Sequence, residues 1–364
     1  MPSHLHVSIE IKRLALAAGF EVAGVAGVGD TPEHQFFPQW IADGHAGDMK
    51  YLEARNEVGN LKRASLANAA PWARSVVVCA LNYNTEHPYS THAGTTSQGW
   101  ISRYAWTQAD YHDVLLAKLR QLESSFVAFC DQSGIATPRT WCYVDTGPVI
   151  ERIYAKYAGI GWIGKNTCIL NQEIGSWLFL GVMLTSLELA PDLPPPDRCG
   201  SCTRCLDACP TQAFPAAYQL DATKCISYLT IEKRGAISGD LRDGIGRQVF
   251  GCDICQDVCP WNRKAAFTKT PEFEPRPKLV NPDLEWLARL SLDEFREVFR
   301  GTPVKRAKHS GLLRNVAIAM GNSGEDRYLA ILEDLTHHAD PVVAEAADWA
   351  LRKLASRTDS TPEE

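Results

Sequence analysis

The chain reads as an α+β protein in three consecutive parts, and three observations carry that reading. Helix-like and strand-like stretches alternate up to a proline-rich break at Leu189–Arg198, LAPDLPPPDR. Eight of the twelve cysteines then crowd between positions 199 and 259. Beyond Thr270 cysteine is absent, and apolar residues recur at helical spacing. The expected division is 1–190, 191–265 and 266–364.

Taken in order, residues 8–18 repeat apolar positions at helical spacing, with Gly19 placed to end the helix. FEVAGVAGV follows as a strand, and Ser75–Leu81, SVVVCAL, suits a buried strand. Asn82–Gly99 is polar and reads as a long exposed loop. Tyr111–Ser133 has long apolar periodicity without a breaker and predicts a helix. Trp141–Val144 leads into Asp145-Thr146-Gly147-Pro148, and Val149–Ala158 follows as a helix launched by that turn. Trp177–Thr185, WLFLGVMLT, is another buried strand. In the last part, Gly311–Gly321, Asp326–His337 and Pro341–Ser356 read as three amphipathic helices. A pair of that length resembles a HEAT-type repeat; a generic helical bundle gives the same fold class.

Composition excludes some classes. Hydrophobic content of 45% with 22% charged residues is that of a globular protein with ample core. A net charge of −6 argues against a general basic coat for nucleic acid, though not against a local basic face. No run approaches the ~18 apolar residues needed to cross a bilayer, and no export signal is recognisable near the N-terminus. Many free thiols imply a reducing compartment, so a cytoplasmic protein is expected.

The cysteine spacing carries chemistry. Cys199-x2-Cys202-x2-Cys205-x3-Cys209-Pro210 is the run that bacterial ferredoxins use for iron–sulfur clusters, the fourth cysteine ligating the other cluster. The second run, Cys252-x2-Cys255-x3-Cys259-Pro260, has three, and Cys225 supplies the missing one. Eight thiolates suffice for two 4Fe–4S clusters. The crossed assignment puts Cys199, Cys202, Cys205 and Cys259 on one cluster and Cys209, Cys225, Cys252 and Cys255 on the other. Each proline stops a ligand turn from continuing as helix. Zinc knuckles lack the third closely spaced cysteine, and disulfide frameworks suit short secreted chains. The remaining Cys79, Cys130, Cys142 and Cys168 read as small core residues.

Clusters with every ligand position filled form a relay, so the first part must hold the site of chemistry. It carries no dinucleotide fingerprint, since Gly159-Ile160-Gly161-Trp162-Ile163-Gly164 follows a helix rather than a strand, and no phosphate-binding loop. Several segments together resemble the epoxyqueuosine reductase family: Val144-Asp145-Thr146-Gly147-Pro148-Val149 with Glu151-Arg152, and Ala158-Gly159-Ile160-Gly161-Trp162-Ile163-Gly164-Lys165-Asn166. So do Arg103-Tyr104-Ala105 with Asp110-Tyr111-His112, the cysteine pattern, and Lys305-Arg306-x-Lys308-x-x-Gly311-Leu312-Leu313-Arg314-Asn315. The resemblance covers nearly the whole chain in one order.

It implies a nitroreductase-like, cobalamin-binding first domain related to reductive dehalogenases, a ferredoxin-like two-cluster domain and a HEAT-like helical end. It implies reduction of epoxyqueuosine at the tRNA wobble position to queuosine, with cobalamin doing the difficult step and the clusters feeding it. Asp145 is then the proton donor, with a pKa raised by burial; helix N-capping is its bland alternative. Corrin contacts are expected from Tyr104, Asp110, Tyr111, His112, Asp145, Lys165, Asn166, Ile169 and Leu180, and from Ser227 and Asp253 beside the second cluster. His112 is not expected to ligate cobalt. Lys305, Arg306, Lys308 and Arg314 form the densest basic group and are expected to meet tRNA phosphates, with Arg152 and Lys233 as further candidates. Anticodon-loop bases are accessible without opening a duplex. An external electron donor and a monomer complete the expectation. A corrinoid dehalogenase of small halocarbons, or a plain electron-transfer protein, would leave the helical end or the Asp145 segment unexplained.

Overall fold

The computed structural model describes residues 2–92 and 94–358, side chains of 357 and 358 aside. A four-stranded antiparallel sheet organises the first part. Its strands are β1 (Val22–Gly27), β2 (Ser75–Asn82), β3 (Thr140–Tyr143) and β4 (Leu178–Thr185), in spatial order β1-β2-β4-β3. The register pairs Val25 with Val77, Cys79 with Gly181, and Cys142 with Met183.

Every residue of β2 is buried because helices cover both faces of the sheet. Side chains alternate across a strand, so Val77, Cys79 and Leu81 pack with α1 (His4–Ala17) and α3 (Tyr111–Gln132). Val76, Val78 and Ala80 pack on the other side with Tyr154 and Ala155 of α4 (Glu151–Tyr157). That double burial is why Ser75–Leu81 is uniformly apolar. Helix α4 lies so close to β1 that a Cβ on Gly24 would stand 1.8 Å from the Ala158 carbonyl oxygen. Helix α2 (Pro32–Ala42) starts with Pro32 in its first turn, where no N–H is needed.

Two small two-stranded elements tie the parts together. Trp100–Ile101 pairs in parallel with Gln248–Phe250, joining the first part to the cysteine-rich one. Trp162–Ile163 pairs with Ile169–Leu170, so the glycine-rich segment is a hairpin whose turn holds Lys165, Asn166 and Cys168. The last part contains α5 (His309–Ser323), α6 (Leu329–Thr336) and α7 (Pro341–Thr358). One apolar core runs from Trp100 and Trp106 through Ile226, Val249 and Phe250 to Leu313, Ala347 and Leu354. It crosses the expected limits at 190 and 265. No helix among the described residues is long and apolar enough to cross a membrane.

One expectation is corrected: Asn82–Gly99 is not an exposed loop throughout. Asn82, Tyr83, Asn84, Thr85 and Ser90 are buried. The polarity is spent inside: Asn82 donates to the Ala266 carbonyl (2.7 Å), and Arg103 donates to the Thr85 carbonyl (2.7 Å) and the His87 and Pro88 carbonyls. The buried Arg103 guanidinium also lies over Tyr89, Trp106 and Trp177.

Candidate active site

A cavity of about 1990 Å³ opens between the end of β3, the start of α3, β4 and the 303–308 segment. That is roughly twice the upper end of the 300–1,000 Å³ typical of small-molecule pockets. Tyr104, Asp110, Tyr111, His112, Asp145, Arg152 and Leu180 line it, and Lys305, Arg306 and Lys308 line its rim.

Asp145 leaves β3 in the left-handed backbone region (φ 59°), which is uncommon for a non-glycine residue. The turn is held from three sides. Thr146 N donates to the Val144 carbonyl (2.6 Å), and Arg63 Nη2 donates to the Gly147 carbonyl (2.8 Å). Gly147 lies flat on the Tyr143 ring, where an added Cβ would come within 2.0 Å. Asp145 caps no helix: α4 starts after Ile150 with no side-chain cap. The bland alternative for Asp145 is therefore removed.

The protonation of Asp145 differs from expectation. Its side chain is 65% accessible, but only through the cavity that surrounds it. Burial by these walls pushes its pKa up. The nearby His112 and the hydrogen bond from Tyr111 outweigh that and hold it below the usual carboxylate range. Tyr111 Oη donates to Asp145 Oδ2 at 2.8 Å, and its ring stacks on Phe179 at 4.3 Å. His112 Nε2 stands 3.8 Å from Asp145 Oδ2, and its Nδ1 is 2.7 Å from Asp110 Oδ1. Burial opposes charge on this imidazole, but the two carboxylates prevail and raise its pKa to about 9. The proton thus rests on His112, with Asp145 ionised beside it. Asp110 also caps α3 by accepting from His112 N.

Sequence reading missed four cavity residues, Tyr51, Arg63, Tyr143 and Glu151. Arg63 fastens the Asp145 turn, and Tyr51 lies under its guanidinium at 5.7 Å. Glu151 is pushed up to about 7, by burial first and then by the charge of Asp145, and its buried Oε1 has no partner. Tyr143 Oη is likewise buried without a partner. Only Glu151 had a signal, its place after the Asp145 turn. Unpaired polar atoms on a cavity wall fit a ligand rich in amide groups, as a corrin is.

Lys165, Asn166, Ile169, Ser227 and Asp253 are absent from the cavity wall. Lys165 Nζ donates to the carbonyls of Gly200 (2.7 Å) and Cys202 (3.0 Å), and Asn166 donates to the Cys255 carbonyl (3.3 Å). Ile169 is in the core, and Ser227 adjoins the Cys225 sulfur through backbone and side chain. Asp253 is buried, accepting from Trp100 Nε1 (3.0 Å), Ser102 Oγ (2.5 Å) and Arg103 N (2.7 Å). Lys165 and Asn166 brace the cysteine loops by donating to carbonyls there, and Asp253 ties its own loop to Trp100, Ser102 and Arg103.

The cysteines form two groups. Burial raises Cys259 to about 11, with Cys205 and Cys199 adding to it; burial likewise raises Cys205, with Cys199 and Cys202 adding. Cys252 is raised by burial and then feels Cys225 and Cys209. Cys255 is raised first by its contact with Cys168, then by burial, then by Cys252 and Cys225. Backbone N–H groups of Ile254, Tyr228 and Trp261 point at Cys252, Cys225 and Cys259, the donor pattern that supports cluster sulfurs. Among the described residues no three His, Cys, Asp or Glu side chains converge on a single ion. Cubane ligands need not converge, because each binds a different iron. Cys168 departs from expectation: it packs beside Cys255 rather than in an apolar core.

The basic residues divide. Lys305 is exposed, 3.9 Å from Asp110; Arg306 pairs with Glu232; Lys308 is exposed in the left-handed region (φ 64°). Arg152 Nη1 donates to the Thr167 carbonyl (2.7 Å), and Lys233 pairs with Asp48 at 3.1 Å. Arg314 corrects the expectation. It is 1% exposed and donates to the carbonyls of Leu229, Lys233 and Gly235. It joins α5 to the cysteine-rich part and cannot reach a phosphate.

Residues 63–146 match the family model described as epoxyqueuosine reductase QueG, and residues 198–262 match the 4Fe-4S double cluster binding domain. An epoxyqueuosine reductase of Xanthomonas campestris pv. campestris is 37% identical over 355 residues, 96% of this chain and 97% of that one. One of Synechocystis sp. is 41% identical over 297 residues, 80% of this chain and 98% of that one. A crystal structure of epoxyqueuosine reductase with an epoxyqueuosine-modified tRNA-Tyr stem loop superposes with a TM-score of 0.84 at 31% identity, covering 100% of this chain and 96% of that one. A Bacillus subtilis structure with its catalytic aspartate loop swung out of the active site gives the same TM-score at 31% identity, with the same coverage. A catabolic reductive dehalogenase reaches 0.43 at 17% identity, covering 92% of this chain and 37% of that one, too little to carry the relation the resemblance implied.

Proposed function

The chain belongs to the epoxyqueuosine reductase family, and on that premise we propose how its own residues reduce epoxyqueuosine in tRNA to queuosine. The single observation that carries the proposal is Asp145, held in a strained turn on the floor of a large cavity, with Tyr111 donating to it and His112 Nε2 3.8 Å away. Converting an epoxide to an alkene takes two electrons and two protons and releases one water. When bound, cobalamin would supply a strongly reducing cobalt, and two 4Fe–4S clusters would supply single electrons to it.

The chain's part is binding, orientation and proton supply. Leu180 and Tyr104 offer flat apolar and aromatic wall to a corrin, while Tyr143 and Glu151 offer unpaired polar atoms. Asp145 faces the leaving oxygen. His112, oriented by Asp110, holds one proton at Nε2 and passes it through Asp145 as the oxygen leaves, and the second proton of the water comes from solvent; Tyr111 keeps the carboxylate aimed. Cys199, Cys202, Cys205 and Cys259 hold one cluster. Cys209, Cys225, Cys252 and Cys255 would hold the other; Gly251, next to Cys252, packs against Ser102 and the Tyr104 ring.

Lys305, Arg306 and Lys308 at the cavity rim, with Arg152, are positioned for phosphates flanking the wobble nucleoside. The parts 1–190, 191–265 and 266–364 then correspond to cofactor, clusters and RNA, the last as a HEAT-like helical end. We read the protein as a cytoplasmic monomer. The test is incubation of protein, cobalamin, chemically reconstituted clusters and a low-potential reductant with an epoxyqueuosine-bearing stem loop. The nucleoside should lose one oxygen by mass, and omission of cobalamin should abolish this. An unchanged nucleoside with both cofactors loaded would overturn the reading.

A further inference from the structure

The two cysteine groups sit in unlike surroundings. Ile226, Tyr228, Phe250 and Asp253 are buried around Cys225 and Cys252. The loop of Cys199, Cys202 and Cys205 instead alternates with exposed residues: Arg198, Gly200, Ser201, Thr203 and Arg204. Arg263 and Lys264, just past Cys259, are exposed as well. Arg204 and Arg263 share a concavity of about 470 Å³ whose wall includes Asp257 and Val258, next to Cys259.

These cations have no acidic partner. Among the described residues no carboxylate forms an ion pair with Arg198, Arg204, Arg263 or Lys264. The nearby carboxylates pair with neutral donors instead: Asp197 accepts from Cys199 N (2.7 Å), Asp207 from Thr203 Oγ1 (2.7 Å) and Asp257 from Ser90 N (2.7 Å), so the four cations outnumber the two exposed acids, Asp197 and Asp207, of this face. In a chain of net charge −6, four unpaired cations around one exposed cysteine loop run against composition. The rim at Lys305–Lys308 borders the other opening, the cavity. The nucleic-acid reading does not use this second basic face.

We propose that Arg198, Arg204, Arg263 and Lys264 form the docking surface for an acidic one-electron carrier protein, which delivers electrons to the cluster of Cys199, Cys202, Cys205 and Cys259. The inference rests on the cluster assignment proposed above. Each encounter oxidises the carrier by one electron and reduces the cluster by one; no bond or proton moves there. Two encounters supply the two electrons of the epoxide reduction. Complementary charge raises the encounter rate of such partners by 10–10³ and makes it fall with salt. The competing role for the cations is to balance the negative charge of the cluster itself.

The test uses the reconstituted holoprotein and, as probes, a reduced acidic flavodoxin and a neutral photoreduced deazaflavin, with bleaching of cluster absorbance followed by stopped flow. For the wild type, the flavodoxin rate should fall steeply with ionic strength. In Arg204→Glu/Arg263→Glu, it should fall at least about tenfold, and the Kd for oxidised flavodoxin should rise by a similar factor. The deazaflavin rate and the cluster spectrum should stay as in the wild type. The Arg204→Gln/Arg263→Gln protein should fall between. A salt-independent wild-type rate, an unchanged flavodoxin rate in the variants, or equal slowing by both reductants would overturn the proposal. Absence of cluster absorbance in the wild type would instead overturn the cluster assignment beneath it.

Discussion

At the scale of single residues, the proposed mechanism separates where a proton is stored from where it is used. A carboxylic acid that donates unaided near neutral pH needs a raised pKa, and Asp145 has a lowered one. His112 resolves this by holding the proton up to about pH 9 between Asp110 and Asp145. Its folded pKa lies above the ordinary value of about 6.5. The ion pairs it makes are therefore complete below that value and lost as pH rises through about 9. Proton delivery should follow the same window: single-turnover rates are expected to be level below about pH 9 and to decline above it. NMR titration of the His112 ring should report a pKa near 9, falling toward the ordinary value in Asp110→Asn. A ring that titrates at its ordinary value in the wild type would remove the proton store. The sequence pointed to Asp110, His112 and Asp145 as site residues and to Asp145 as proton donor, but the place of the proton was not legible, because it depends on α3 and the end of β3 bringing His112 within 3.8 Å of Asp145.

At the scale of elements, patterns with one physical cause were legible and those with two were not. The buried strands and long helices follow from apolar periodicity, and the cysteine spacing reports ligand turns because each turn is local. The 82–99 loop was misread because polar composition usually means solvent, whereas Asn82, Asn84 and Thr85 meet buried partners supplied by Ala265, Ala266 and Arg103. Arg314 was misread for the same reason. It stands in a basic run, but α5 turns it inward onto three carbonyls. Burial lowers its pKa, to about 10, yet leaves it charged at neutral pH. Arg314→Ala would strand those carbonyls and should cost about 3 kcal/mol or more in denaturant unfolding. It should leave the salt dependence of tRNA binding unchanged. A neutral effect on stability with a shallower salt slope would return Arg314 to the RNA surface.

At the scale of the whole molecule, function lies at junctions. The cavity is built mostly from the first part, walled also by Tyr218, Leu220, Ala222 and Ile231 of the second, and lined by Lys305, Arg306 and Lys308 of the last. The Trp100–Ile101 and Gln248–Phe250 pairing ties the Asp110 segment to the second cysteine group. A net charge of −6 hides two basic patches, one at the cavity rim and one at the exposed cysteine loop. Replacing Lys305, Arg306 and Lys308 together by Gln should flatten the log K against log salt line for stem-loop binding by about 2. An unaltered slope would place the RNA elsewhere. The central claim remains that Asp145 conveys the proton to the leaving epoxide oxygen. Its most direct test is a single-turnover measurement of epoxyqueuosine reduction by Asp145→Asn, with corrin and cluster spectra recorded on the same sample. The account predicts unchanged spectra and a rate lower by about 10²–10⁴; a normal rate with intact spectra would contradict it.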